Sequence, residues 1–361
     1  MEARFIRHDD VTGWLDALSE KHVVLAPMWD DSAVTFRPYV KGRTPLLDRA
    51  AVMAPKEGVF PQNEVLLRYR YEKDPENLER TRVSVTETLP KETTVVVGAR
   101  PCGTRGVSVL DRVYNCDKVR DPYYAKRREN TMYVTMACTR VDSTCFCHEV
   151  GSHPADPEAS DVLLVPVPEG YVAEPVTERG ETLLDFPFFS PAGEDRLREA
   201  EETKRRTRDK LPAPHDYSDA EKSLTAVFND MEFWEEQAAK CISCGACAYL
   251  CPTCYCFNIT DESAGLTGKR VRTWDNCMSF QFTLEGSGHN PRPTKAHRMR
   301  NRVNHKFAYY TELHGVPACC GCGRCIKSCP VGVDIRAMVQ AAQQRAAQNA
   351  VQKTEDASDE R

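Results

Sequence analysis

Eight cysteines stand in two copies of one spacing. Cys241-Ile-Ser-Cys244-Gly-Ala-Cys247-Ala-Tyr-Leu-Cys251-Pro252 reads C-x2-C-x2-C-x3-C-P, and Cys319-Cys320-Gly321-Cys322-Gly323-Arg324-Cys325-Ile-Lys-Ser-Cys329-Pro330 repeats it. Three thiolates two residues apart wrap one iron–sulfur cube on a tight loop, and Gly245 and Gly323 let backbone N–H groups approach the sulfides. In two-cluster ferredoxin patterns the fourth cysteine reaches the other cube. The spacing therefore predicts one [4Fe–4S] cluster on Cys241, Cys244, Cys247 and Cys329, and a second on Cys319, Cys322, Cys325 and Cys251. The fourth cysteine of each run is expected to start the next helix, with its proline in the first turn. Zinc also accepts C-x2-C pairs, but it rarely needs this four-cysteine run, and here the run occurs twice. A cube with four thiolate ligands has no open coordination position, so it conducts single electrons rather than transforming a substrate.

The chain has 17 cysteines, 12 of them between Cys241 and Cys329. Cys254, Cys256, Cys277 and Cys320 are left over from the ladder. Cys320 reads as a buried thiol; the other three are either buried thiols near the clusters or a further metal or redox site. In the N-terminal half, Cys102 follows a strand, Cys138 ends another, and Cys145-Phe146-Cys147-His148 comes seven residues later. Strand ends of one sheet lie close together, so Cys102, Cys138, Cys145 and Cys147 form a candidate third iron–sulfur cluster. Zinc using His148 or His153 is the second reading and unliganded thiols the third. Cys116 reads as an ordinary residue. Gly98, Gly103 and Gly106 do not make the G-x-G-x-x-G spacing of a dinucleotide site. No Ser–His–Asp or paired-carboxylate set stands out, and no catalytic residue is assigned.

The elements that must position these groups read as a mixed α/β N-terminal domain followed by a mainly helical, ferredoxin-like domain with two [4Fe–4S] clusters. In the first, Asp10 to Leu18 suggests a short helix. His22 to Met28, Ala33 to Val40, Thr93 to Gly98 and Met132 to Ala137 suggest strands, being apolar and β-branched. Val162 to Val167 and Tyr171 to Val176 flank Glu169-Gly170 as a hairpin, and a helix is expected near Val107 to Val113. Residues 1–190 are assigned to this domain. Residues 191–218 read as a charged linker, because Glu194 to Lys210 is almost all charge and prolines follow. Residues 219–349 form the dicluster domain, entered by a helix over Glu221 to Ala239 and closed by one from Ile335 to Gln348 that Asp334 caps. Residues 350–361 are expected to be a disordered acidic tail. Arg292 to Lys306 is basic and suggests a helix beside the clusters, balancing anionic cubes or docking an acidic partner; a plain solvated helix face is the second reading, and with Phe307, Tyr309 and Tyr310 nucleic-acid binding is a weaker one.

Composition excludes several classes. With 361 residues, two or three domains are expected. A hydrophobic content of 41% allows a buried core, and a net charge of −5 gives no global pull toward nucleic acid. The first ten residues carry no apolar h-region, and no 18-residue apolar stretch occurs, so neither a secretory signal nor a membrane span is expected. A disulfide scaffold does not fit a long chain with an odd cysteine total; clustered thiols in a reducing compartment bind metal.

Pro101-Cys102, Asp121-Pro122-Tyr123-Tyr124, Cys145-Phe146-Cys147, Cys251-Pro-Thr-Cys254-Tyr-Cys256-Phe257 and Cys322-Gly-Arg-Cys325 together resemble the iron–sulfur (beta) subunit of soluble sulfhydrogenases. They are similar also to the iron–sulfur subunit of anaerobic sulfite reductase, and to electron-input subunits of heterodisulfide-reductase-type complexes. The chain departs from that pattern at Gly103, Asn276 and Cys320. The resemblance implies a cytoplasmic electron-transfer subunit of an anaerobic oxidoreductase complex. It would relay electrons between a flavin subunit handling NAD(P)H and a catalytic reductase or hydrogenase subunit, with no membrane and no nucleic acid as partner. Two other functions are carried beside it: a metal-stabilised binding protein without redox turnover, and a self-sufficient reductase using Cys254, Cys256 or Cys277.

Overall fold

The computed structural model describes residues 1–359, and side chains through Gln352. The strands are β1 (Arg4–Arg7), β2 (Val23–Asp30), β3 (Ala33–Pro38), β4 (Asn63–Asp74), β5 (Asn77–Glu87), β6 (Thr94–Ala99), β7 (Thr131–Met136), β8 (Val162–Val167), β9 (Gly170–Pro175), β10 (Ser190–Pro191), β11 (Phe257–Ala264) and β12 (Thr267–Trp274). They form two sheets. The larger runs β10-β1-β9-β8-β7-β6-β2-β3, with β2, β6, β7 and β8 parallel at its centre. Parallel strands are covered on both faces, which is why Thr-Val-Val-Val-Gly-Ala is a continuous apolar run. Val95 and Val97 pack on one side with Trp14, Leu15 and Leu164, while Val96 packs on the other with Phe60, Leu110 and Tyr133.

The helix Pro101–Tyr114 leaves the carboxyl end of β6, so Cys102 lies in its first turn, and Cys138 follows β7 in the next strand position. This is the end of a parallel sheet where crossover loops gather and sites are built.

The second sheet was not foreseen. It runs β11-β12-β4-β5, all antiparallel, and joins a hairpin from the N-terminal half to one inserted between the two cysteine runs. The cysteine-rich half is therefore not mainly helical. Every residue of β5 and β11 is exposed, so neither strand has a face buried in a core. Leu78, Val83 and Val85 stand in solvent on the edge strand.

Three further expectations are corrected. The charged run is no free linker: it forms the helix Glu194–Arg208, which buries Ala200 and Thr207 and packs Ala200 with Phe5, Val165 and Val172. Its contact stripe is small residues, invisible against so much charge; Lys204 adds an ion pair to Glu174 at 2.7 Å. The Glu221–Ala239 segment is two helices, Ala220–Ala226 and Met231–Ala238, and Asp230 caps the second by accepting from Phe233 N. The last helix continues past Gln348 to Asp359, so residues 350–359 are helical rather than a disordered tail, in keeping with the helix-favouring Ala and Gln that lead into it. Glu360 and Arg361 lie outside the described residues. No helix among the described residues is long and apolar enough to cross a membrane.

Candidate iron–sulfur centres

The two cysteine runs fold alike. Each has a glycine in the left-handed region, Gly245 at φ 75° and Gly323 at φ 68°, that opens a four-residue helix: Ala246–Tyr249 and Arg324–Lys327. A side chain at either position would collide with a neighbour: Asn276 packs at Gly245, and the Thr144 backbone packs at Gly323. Cys251 and Cys329 follow these short helices rather than starting the next one, because the proline after each leads into a turn.

Two cavities result. Cys241, Cys244, Cys247 and Cys329 line the first, although Cys329 comes from the second run. Cys251, Cys319, Cys322 and Cys325 line the second, with Cys251 arriving from the first run. Cys325 and Ile335 face both cavities, so the two are neighbours. Backbone donors already point at sulfur: Ser243 N to Cys241 Sγ at 3.4 Å and Val333 N to Cys329 Sγ at 3.2 Å. Thiolate donors around an enclosed space, with N–H groups aimed at the sulfurs, fit a cube bearing negative charge. Among the described residues, no three Cys, His, Asp or Glu side chains close on a single metal ion.

The basic stretch turns inward. It forms the helix Lys295–Asn304 and a π-helical turn His305–Tyr309, and Arg298, Arg302 and Lys306 are buried. Lys306 Nζ donates to Cys251 Sγ at 3.3 Å, Thr253 Oγ1 at 2.7 Å and Ala318 O at 3.0 Å. Arg302 donates to Cys247 O at 2.8 Å and to Cys254 Sγ at 3.5 Å. A hydrogen bond with Cys254, then the charges of Lys306 and Arg302, hold the Cys251 thiol well below its ordinary range despite burial. Arg302 and Lys306 of this stretch thus face the cysteines, while Arg298 and Arg300 bond to backbone carbonyls elsewhere.

The N-terminal cysteines also converge. Cys102, Cys138 and Cys145 all act electrostatically on Cys147. Burial pushes Cys138 and Cys147 up to about 12, so as free thiols both are protonated. Arg324 reaches into this group from the second cysteine run, with Nη1 3.5 Å from Cys102 Sγ, and its buried Nε has no hydrogen-bond partner. The loop is docked there by Phe146 N donating to Gly321 O at 2.8 Å and by the Lys327–Asp142 ion pair at 2.5 Å. His148 does not join the four thiols; its Nε2 lies 3.0 Å from Pro212 O. His153 turns to the Ala155 N–H.

Sequence reasoning missed Lys56 and Arg324. Arg324 sits inside the Cys-Gly-Arg-Cys motif, where a cation between two ligand positions is a usable signal. Lys56 had none: it is buried in the N-terminal half, donates to Cys254 O at 3.0 Å and lies over the Trp274 ring. Cys116 stands apart after the helix Pro101–Tyr114, its N–H donating to Val119 O. Cys320 is buried beside Cys322.

Comparison with known proteins agrees with this geometry. Residues 240–333 match the 4Fe-4S dicluster domain family, so the chain carries two [4Fe–4S] clusters. The chain is 30% identical over 247 residues to sulfhydrogenase 2 subunit beta of Pyrococcus furiosus, covering 66% of this chain and 71% of the relative. No solved structure matches it. With the ladder, the dicluster match and this relative in agreement, the chain belongs to the family of the sulfhydrogenase beta subunit.

Proposed function

We propose that the chain is the electron relay of a cytoplasmic oxidoreductase complex of the hydrogenase or sulfur-reductase type. It would stand between a flavin subunit handling NAD(P)H and a catalytic subunit. The observation that carries this reading is the pair of adjoining cysteine-lined cavities that share Cys325. In it, Cys241, Cys244, Cys247 and Cys329 hold one cluster, and Cys319, Cys322, Cys325 and Cys251 hold the other. When bound, a [4Fe–4S] cluster with four thiolate ligands supplies one-electron transfer and leaves no iron free for substrate. The residues around it do the rest. The thiolates close every coordination position, and Lys306 and Arg302 favour the more negative, reduced state. Cys102, Cys138, Cys145 and Cys147 hold a third cluster on this reading, with Arg324 as its counter-charge, and catalysis belongs to a partner subunit.

The test is the anaerobically purified chain. The two ladder clusters contribute about eight irons and eight acid-labile sulfides per chain, and a cluster on Cys102, Cys138, Cys145 and Cys147 adds about four of each, lost in Cys138→Ala. The reduced protein should show the EPR signature of interacting [4Fe–4S] centres and should take electrons from a reduced flavin subunit. Folded, iron-loaded protein that neither accepts nor donates an electron would end the relay reading.

A second expected outcome concerns Lys306. At an effective dielectric near 20, a unit charge roughly 6 Å away acts with about 3 kcal/mol. Lys306→Met is expected to lower the potential of the neighbouring cluster by on the order of 100 mV. An EPR-monitored redox titration reads it; an unchanged potential would mean that this charge is not felt at the cluster.

A further inference from the structure

Three cysteines outside the ladder come together at the base of the β11–β12 hairpin. Phe257 pairs with Trp274, and Asp275 N donates to Cys256 O at 2.9 Å. That closure brings Cys256, just before β11, and Cys277, just after β12, into the wall of one pocket. Cys254 lies two residues upstream. All three line a solvent-open pocket of about 510 Å³ together with Arg302, His305 and Lys306.

Arg302 and Lys306 line this pocket, and Lys56 touches its wall through Cys254 O. Lys56, Arg302 and Lys306 are 3%, 4% and 3% exposed. Among the described residues their hydrogen-bond partners are carbonyls, a hydroxyl and sulfur, with no carboxylate. Buried cations without anions are strongly unfavourable. The clusters of the ladder answer for Lys306, through Cys251, and for Arg302 beside Cys247. Lys56 donates to Cys254 O and is acted on by Cys254, Cys251 and Cys256, so the ladder ligand Cys251 answers for it only in part. An anion is missing on that side, and three thiols stand there with no other assigned role.

We propose that Cys254, Cys256 and Cys277 ligate a further [4Fe–4S] cluster through three thiolates, its fourth iron facing the basic pocket and open to a small anionic ligand. The site differs in kind from the ladder centres, which are closed by four cysteines. It makes the pocket a place beside the relay where an exogenous anion, such as a thiolate or sulfide, reaches iron. It rests on cysteines outside the ladder, so iron loss in their variants tests it apart from the ladder assignment.

The experiment is anaerobic iron and sulfide analysis of the full chain beside Cys254→Ala, Cys256→Ala and Cys277→Ala, with Cys116→Ala as control. Each of the three is expected to lose about four irons and four sulfides per chain, while Cys116→Ala loses none and the EPR signature of the ladder centres persists. Iron content equal to wild type in folded Cys254→Ala and Cys256→Ala proteins overturns the proposal. A gain of two titratable thiols on reduction, without any iron dependence on these residues, overturns it too and leaves a Cys256–Cys277 dithiol. Cyanide tests the open iron. It should shift the EPR spectrum of the reduced wild type and leave that of the Cys254→Ala protein unchanged; no shift in the wild type overturns the open corner. Loss of the ladder signals in wild type would instead count against the relay reading and not this site.

Discussion

Cys329→Ala is expected to empty the cluster of the first cysteine run, although Cys329 belongs to the second. Cys329 lines one cavity with Cys241, Cys244 and Cys247, and Val333 N already points at its sulfur. Removing it leaves that cluster three thiolates, while Cys319, Cys322, Cys325 and Cys251 keep their set. Cys251→Ala is the reciprocal, stripping the cluster of Cys319, Cys322 and Cys325. Each variant should lose about four irons per chain. In each, the interacting EPR signal should give way to one without the coupling between the two ladder centres. Because the two cavities share Cys325, the surviving centre should differ between the variants in potential and in line shape. Should Cys329→Ala instead leave the Cys241 centre intact and lose the other, each run holds its own cluster and the crossing assignment is wrong.

Arg272→Met is expected to be strongly destabilising. Arg272 of β12 donates to Glu64 of β4 at 2.5 Å through Nη2 and to Asp121 at 2.5 Å through Nη1. Arg127 meets the other Glu64 oxygen at 2.9 Å, and both Glu64 and Arg272 are buried. Truncating Arg272 leaves a buried carboxylate with half its partners, and breaking a buried pair in this way costs about 3–5 kcal/mol. That is a large part of the ~5–15 kcal/mol that holds an ordinary domain folded. Denaturant midpoints of the holoprotein measure it, and adding Glu64→Gln should recover part of the loss, since the two residues act on each other. A midpoint within experimental error of wild type would mean that the network does not clamp the two halves.

The difference between what was legible and what was not has a physical pattern. The ladder could be read because cluster ligation fixes spacing along the chain. The meeting of Cys102 with Cys138 followed from a rule about parallel strands: β6 and β7 are continuous apolar runs, so their ends could be located. The second sheet left no such trace. β5 is Asn-Leu-Glu-Arg-Thr-Arg-Val-Ser-Val-Thr-Glu, exposed throughout, and its pairing is decided by backbone hydrogen bonds and by β4 rather than by a buried face. The helix Glu194–Arg208 was hidden for the opposite reason, its buried stripe being small residues among charges. Within the site, the basic stretch Arg292–Lys306 carried two readings that differ only in which way the side chains point, and a single sequence does not encode that directly. Lys56 was out of reach altogether, since its partner Cys254 is far away along the chain and nothing local marks it.

The shared sheet also sets a timetable for synthesis. β4 ends at Asp74, and β12, which covers its free side, begins at Thr267. At ~5–20 residues per second the ribosome delivers β12 roughly 10–40 s after β4. During that interval the hairpin of β4 and β5 presents an uncovered strand edge to the cell, the kind of surface on which nascent chains adhere to one another. Slower translation or a scarcity of chaperones during overproduction should therefore drive this polypeptide into aggregates before any iron is inserted.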